Sequence, residues 1–197
     1  MPRPDVSQER IAQILDAAMT VFAREGFDKA RMDVIADEAG LSKGTLYLYF
    51  ESKDHLITSL LERFFLSALE HAQPLLESDT PASDRLLTLT ASLTAEVEQM
   101  AALMSIGFEF YAIAAREVSV RAFLRTYFRQ YTDLIASLIE QGMARGEFKT
   151  PDPRAAALAL VALFEGLNLL YVVDPESICL PEHAEAAVHL FLKGIQA

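Results

Sequence analysis

An all-α fold is predicted by three features of this sequence. Apolar residues recur at helical spacing almost throughout, no alternating strand pattern of any length occurs, and Gly and Pro fall where one helix would give way to the next. About nine helices are expected. The chain has 197 residues, 52% of them hydrophobic, with 12 Phe and no Trp. That length suits one large domain or a small domain joined to a larger one. The positive mean hydropathy and a charged fraction of 23% exclude a disordered chain and imply a well-filled core.

The first helix is expected to carry Ile11, Ile14, Leu15, Ala18, Val21 and Phe22 on one face, with Ser7 as its N-cap and Gly26 as its stop. A short second helix follows from about Met32 to Ala39, turning Val34, Ile35 and Ala39 inward, and Gly40 breaks it. Leu41 then points back to the core, and Ser42 caps a third short helix through Phe50. Ser52 caps a longer fourth helix with Leu56, Leu60, Leu61, Phe64, Phe65 and Leu69. Pro74 and the Ser78-Asp79-Thr80-Pro81 segment mark its end. Helices are then expected over about 82–97, 99–115, 118–145, 154–173 and 182–195, the last two split by Pro175 and Pro181.

Net charge is −11, which does not favour a nucleic-acid partner. Its distribution softens the objection: residues through Lys53 carry 7 basic and 9 acidic groups, and the remainder carries 10 and 19. The acidity therefore lies mostly outside the first 53 residues. The one cysteine, Cys179, permits no intrachain disulfide and fits a reducing cytoplasm. Its apolar Ile-Cys-Leu setting predicts a small buried residue. The start lacks a basic-then-apolar run, and the longest apolar stretch, Ala155 to Val173, is interrupted by Glu165, Gly166 and Asn168. A soluble, cytoplasmic protein with no membrane partner is expected.

Three short helices with a Gly-containing turn between the second and third form a helix-turn-helix. The run from Val34 to Lys53, including Gly40-Leu41-Ser42-Lys43-Gly44-Thr45-Leu46-Tyr47-Leu48-Tyr49-Phe50, resembles the DNA-binding region of the TetR family of repressors. The preceding Phe22-Ala23-Arg24-Glu25-Gly26-Phe27 matches that family too. The likeness covers about the first 60 residues. Beyond them only length and helical layout agree. It implies a DNA-binding domain over 1–53, a ligand-binding and dimerisation domain over 54–197, and repression released by an effector.

The residues themselves support the DNA-binding part. Leu41 and Leu46 would anchor the recognition helix, leaving Ser42, Lys43, Gly44, Thr45, Tyr47 and Tyr49 for DNA, with Lys53 near a flanking phosphate. Arg31 stands where the family often has a small hydroxyl residue, which departs from the pattern. The partners implied are double-stranded palindromic operator DNA, a second copy of the chain and a small, mostly apolar effector.

The helix from Ala155 to Tyr171 is apolar nearly all round, which favours a homodimer interface through Leu160, Phe164, Leu167, Tyr171, Val188 and Phe191. The alternative is that these side chains fill the domain's own core. An aromatic-rich middle offers effector-binding candidates in Phe64, Met104, Phe108, Glu109, Tyr111, Tyr127 and Phe128. Glu109 could meet a cationic ligand or pair with Arg116, whereas Arg121, Arg125 and Arg129 read as a solvated stripe. No cofactor or metal is expected and no catalytic residue is assigned. The histidines His55, His71, His183 and His189 make no Glu-x-x-His pair, and no nucleophile elbow or phosphate loop occurs. A helical enzyme, or an interaction protein with a degenerate head, is the competing reading.

Overall fold

The computed structural model describes residues 6–99, 104–150 and 152–197, and within them all side chains except those of residues 6, 64–68, 71, 98–99, 104–107 and 109. Nine helices occur among the described residues: α1 (Val6–Glu25), α2 (Met32–Glu38), α3 (Lys43–Tyr49), α4 (Lys53–Glu77), α5 (Ala82–Gln99), α6 (Met104–Ala114), α7 (Val118–Ala144), α8 (Pro153–Val173) and α9 (Leu180–Ile195). Among the described residues, extended backbone forms only an isolated antiparallel bridge, Phe148 with Gln196.

Two compact units divide these helices. The first comprises Met1–Phe64 with Ser105–Arg121, and the second Phe65–Met104 with Ala122–Ala197. The first unit is built on the apolar face of α1, where Ile14, Leu15, Ala18, Val21 and Phe22 are all buried. Gly26, at φ 75°, ends that helix, and its amide donates to the Phe22 carbonyl at 2.8 Å. Phe27 then turns inward onto Phe22, with ring centroids 4.3 Å apart, and Phe110 of α6 packs on Phe27 at 5.1 Å. Residue 110 thus fills the core of a unit that begins more than eighty residues earlier. Sequence spacing alone gives no sign of that contact.

In the second unit, α9 packs against both α5 and α8, and α7 adds Tyr127, Tyr131, Ile135, Leu138 and Ile139 to the core. The turn after α7 has the same form as the one after α2. Gly146, at φ 77°, donates to Met143, and the Glu147 amide reaches back to Gly142 at 2.8 Å. Phe148 is thereby folded over α7. A Cβ on Gly142 would lie 2.4 Å from the Phe148 ring and 2.9 Å from Ala82 Cβ.

Several expectations change. Pro74 does not end its helix: α4 runs through it to Glu77. α5 reaches Gln99, and of the helix expected over 99–115 residues 104–114 are helical, residues 100–103 lying outside the described residues. Ser7 lies inside α1, which starts at Val6, so it is not the N-cap. Cys179 is exposed, because it is the N-cap residue of α9 and the inward side chain is its neighbour Leu180. By length and composition α8 is apolar enough to cross a bilayer. It nevertheless packs on α9 and buries Asn168, features of a helix inside a folded domain.

Lys53 has a definite place in the first unit. Its ammonium donates to the carbonyls of Phe27, Asp28 and Ala30 at 2.5, 3.3 and 3.3 Å. Those carbonyls belong to the α1–α2 connection, so one cation closes the loop that sets the start of α2. Lys53→Met should destabilise the protein by about 1–2 kcal/mol, the usual cost of leaving part-buried carbonyls unanswered, measured by urea unfolding. Gly142→Ala should cost about 1–3 kcal/mol through overpacking against Phe148, and Gly142→Ala with Phe148→Leu should recover part of that loss in the same measurement.

Candidate nucleic-acid interface

The geometry of the recognition segment is set by three local devices. The first is the turn after α2. Gly40 sits at φ 65°, in the left-handed region that favours glycine. Its amide donates to Asp37 at 3.0 Å and the Leu41 amide to Ala36 at 2.9 Å, closing a Schellman motif that stops α2 sharply. The second is the cap of α3. Ser42 has extended backbone, and its Oγ accepts from the Thr45 amide at 3.1 Å while sharing a hydrogen bond with the Thr45 hydroxyl at 2.8 Å.

The third device is burial. Leu46 is fully buried and Phe50 nearly so, beside Ile35 and Ala36 of α2. With about 100° of rotation per residue, the burial of Leu46 turns residues 44 and 48 to the opposite pole of α3. Leu48 is accordingly 83% exposed and Tyr47 41% exposed. Ser42, Lys43 and Gly44 are exposed, and Thr45 and Tyr49 are half-buried. Lys43 Nζ lies 6.0 Å from the Tyr47 ring centroid, so the cation and the phenol share one outer flank.

The other expected contacts are engaged within the protein. Arg31 is exposed but pairs in bidentate fashion with Asp33, at 3.1 Å from Nε and 2.5 Å from Nη2. Lys53 is half-buried on the loop carbonyls described above. Leu48, which the sequence reading did not single out, owes its outward direction to its position two residues after the Leu46 anchor.

The candidate effector residues do not form one described site. Phe108 and Tyr111 are half-buried in the first unit, with ring centroids 5.9 Å apart. Arg116 of that unit pairs with Asp28 at 3.7 Å. Tyr127 and Phe128 belong to the second unit. The side chains of Phe64, Met104 and Glu109 lie outside the described residues. In the second unit Tyr127 and Tyr131 stack at 5.8 Å, with 11° between planes. Burial raises both phenols well above their usual range, and the nearby carboxylates of Glu165 and Glu96 add to the effect. Tyr131 also lines a narrow cleft with Leu86, Thr90, Leu93, Phe164 and Val188, whose free space is only about 20 Å³, little more than room for one water. Among the described residues no group of three or more His, Cys, Asp or Glu could hold a metal.

The expected dimer residues divide as well. Leu160 and Val188 are buried within the second unit and belong to its own core, a correction caused by the rotation of α8 and α9. Phe164, Leu167, Tyr171 and Phe191 are half-buried. The apolar side chains that face outward are Leu158, Leu169, Leu170 and Val173 on α8 and Leu190 on α9.

Comparison with known proteins fits this architecture. Residues 14–60 match the model for bacterial regulatory proteins of the tetR family, and residues 81–197 match the C-terminal model of BetI-type transcriptional repressors. The uncharacterized HTH-type transcriptional regulator YfiR of Bacillus subtilis is 30% identical, over 98% of this chain and 96% of its own. The Bacillus subtilis regulator FadR, solved in complex with stearoyl-CoA, shares the fold with a TM-score of 0.82 at 21% identity, over 94% of this chain and 99% of that one. SmeT, the repressor of the Stenotrophomonas maltophilia multidrug efflux pump SmeDEF, does so with a TM-score of 0.81 at 22% identity, over 95% and 90% of the two chains, and has also been solved with triclosan. With its helix-turn-helix head and a larger helical C-terminal region each matching the family's models, this chain belongs to the TetR family of DNA-binding transcriptional regulators.

Proposed function

We propose that this protein represses transcription by binding a palindromic operator as a homodimer in the cytoplasm, and that a small, mostly apolar effector releases it. The observation that carries the reading is the outer face of α3, where Ser42, Lys43, Gly44 and Tyr47 are exposed around an anchor that is wholly buried. Hydroxyls, a cation and a phenol are the groups that hold phosphates and base edges. Thr45 and Tyr49 flank this face. Arg31 would reach DNA only by leaving Asp33, and Lys53 only by leaving its loop.

One recognition helix of seven residues reads few base pairs, so two heads on paired half-sites are needed for useful specificity. The outward stripe of Leu158, Leu169, Leu170 and Val173, with Leu190 of α9, supplies an apolar surface that a second copy would cover. Half-buried Phe164, Leu167, Tyr171 and Phe191 border it. For the effector, Tyr127, Phe128, Tyr131 and Phe164 of the second unit offer an aromatic, largely apolar lining, and the narrow cleft between them and α5 would have to widen to admit it. The relatives solved with stearoyl-CoA and with triclosan support an effector with a large apolar part. Release then follows from differential affinity, the effector favouring a conformer whose two heads no longer match the operator spacing.

The test is selection of bound duplexes from a random pool by the purified full chain, followed by variants on the winning site. A palindrome should emerge, Lys43→Ala and Tyr47→Ala should each weaken binding to it by about tenfold, and Leu170→Glu should yield a folded monomer that binds it poorly. Failure to enrich any sequence at low salt would count against the repressor reading. A dimer that persists in Leu170→Glu would move the interface elsewhere.

A further inference from the structure

We propose that Leu48 reads the 5-methyl group of one thymine in each operator half-site, which makes it a specificity-determining residue. The inference rests on the DNA-binding reading above and adds to it a base type and a position on the helix. A lone exposed leucine is ordinary on a protein surface, so exposure by itself decides nothing. Location decides. Leu48 stands about 200° from Leu46 around α3, at the pole farthest from the head's own core, and is the most exposed of the large hydrophobic side chains that face outward.

Gly44 lies one turn earlier on that same pole. Its backbone is ordinary for a helix, and a Cβ there would meet nothing nearer than Ser42 Oγ at 3.9 Å. The fold therefore does not require glycine at 44, although glycine in a helix is less stable than alanine. What a side chain at 44 would obstruct is an object outside the chain that approaches α3 closely. A duplex seated against Gly44 brings the next turn of the pole, Leu48, into the floor of the major groove.

Leu48 has no hydrogen-bonding group and cannot read the donors or acceptors of a base edge. The one apolar feature of the major groove is the thymine methyl. Lys43 and Tyr47 occupy the adjacent flank, and Ser42 and Thr45 the helix start, so polar contacts surround the apolar one. Desolvating a methyl against leucine is a short-range contact, and it discriminates thymine from cytosine without any charge.

The experiment uses the full chain and the operator it selects. Each thymine is replaced in turn by deoxyuridine, which removes only the 5-methyl group, and affinity is measured for wild type and for Leu48→Ala. One symmetry-related pair of thymines should respond, with about fourfold weaker wild-type binding for each methyl removed. Leu48→Ala should be insensitive at that pair and should accept other bases there, while melting like wild type because residue 48 is exposed. Gly44→Ala should weaken binding to every sequence without loss of fold stability. Unchanged wild-type affinity at all deoxyuridine positions would overturn the proposal, as would a Leu48→Ala variant with the wild-type response. Either result leaves the repressor reading standing, because an operator was selected. If wild type selects no sequence, that reading falls and the role of Leu48 falls with it.

Discussion

The burial of Leu46 is the constraint on which the recognition surface depends. A helix of two turns has few contacts to fix its rotation, and α3 is held by one fully buried leucine and the inward Phe50 at its end. Rotating α3 to expose Leu46 would forfeit about 1.5–3 kcal/mol of apolar burial, a large share of a small unit's stability. The Gly40 turn delivers the chain to Ser42 at the required angle, and the Ser42 cap starts the helix at the right residue. Because those three devices agree, each outward residue has a fixed bearing. Slipping the helix start by one residue would turn every side chain by about 100° and present a different face.

A comparable constraint operates at the far end of α4. Arg85 is almost wholly buried, and its Nη1 donates to the Leu75 carbonyl at 3.1 Å and to Gln141 Oε1 at 2.5 Å. Gln141 in turn donates to the Leu76 carbonyl at 3.3 Å. Pro74 lacks the backbone donor that would serve the Glu70 carbonyl, yet α4 continues to Glu77, and two side chains answer the orphaned carbonyls of Leu75 and Leu76 at its end. A guanidinium at a helix C-terminus is also favoured by the helix dipole. The arrangement is costly: Arg85 Nε and Nη2 are buried without partners, and burial, then the nearby Arg145, lowers the pKa of the group. Nearby, Arg145 donates to the Asp79 and Thr80 carbonyls, and Glu147 accepts from the Ser83 amide. The α4–α5 connection is thus held by polar contacts from α7 and the turn after it.

How much of this was legible in the sequence follows from the range of each interaction. The caps and turns of α2 and α3 depend on residues within five positions of one another, and Gly40, Ser42 and Leu46 could be assigned from their spacing. Pro74 misled because α4 tolerates the one donor it removes, and the groups that hold the end of the helix lie at 85 and 141, beyond any local pattern. The loop-closing role of Lys53 was illegible for the same reason: its partners are the carbonyls of 27, 28 and 30, and a carbonyl leaves no trace in a sequence. In α8, composition announced an excess of apolar surface but not its direction, since nearly every position was apolar and periodicity carried no phase. Only the packed helix separates Leu160, which faces in, from Leu158 and Leu170, which face out.

An acidic chain that binds DNA needs a reason why repulsion does not prevent it, and the head supplies one in its pairing. Arg24 holds Glu25 and Glu38, Arg31 holds Asp33, Arg63 holds Asp16 and Arg116 lies beside Asp28. Such exposed pairs contribute little to stability, but they cancel charge where a phosphate backbone would feel it. The stretch from Ala39 to Phe50 holds no acidic residue at all. Over a Debye length of about 10 Å at moderate salt, the outer face of α3 is therefore shielded from much of the chain's negative charge. Few free cations remain on that face, so little of the binding energy can come from counterion release. On the proposed reading, hydroxyls, tyrosine rings and the exposed leucine then carry more of the recognition. Those contacts act only at close range, which suits a regulator that should hold one operator firmly and the rest of the chromosome weakly.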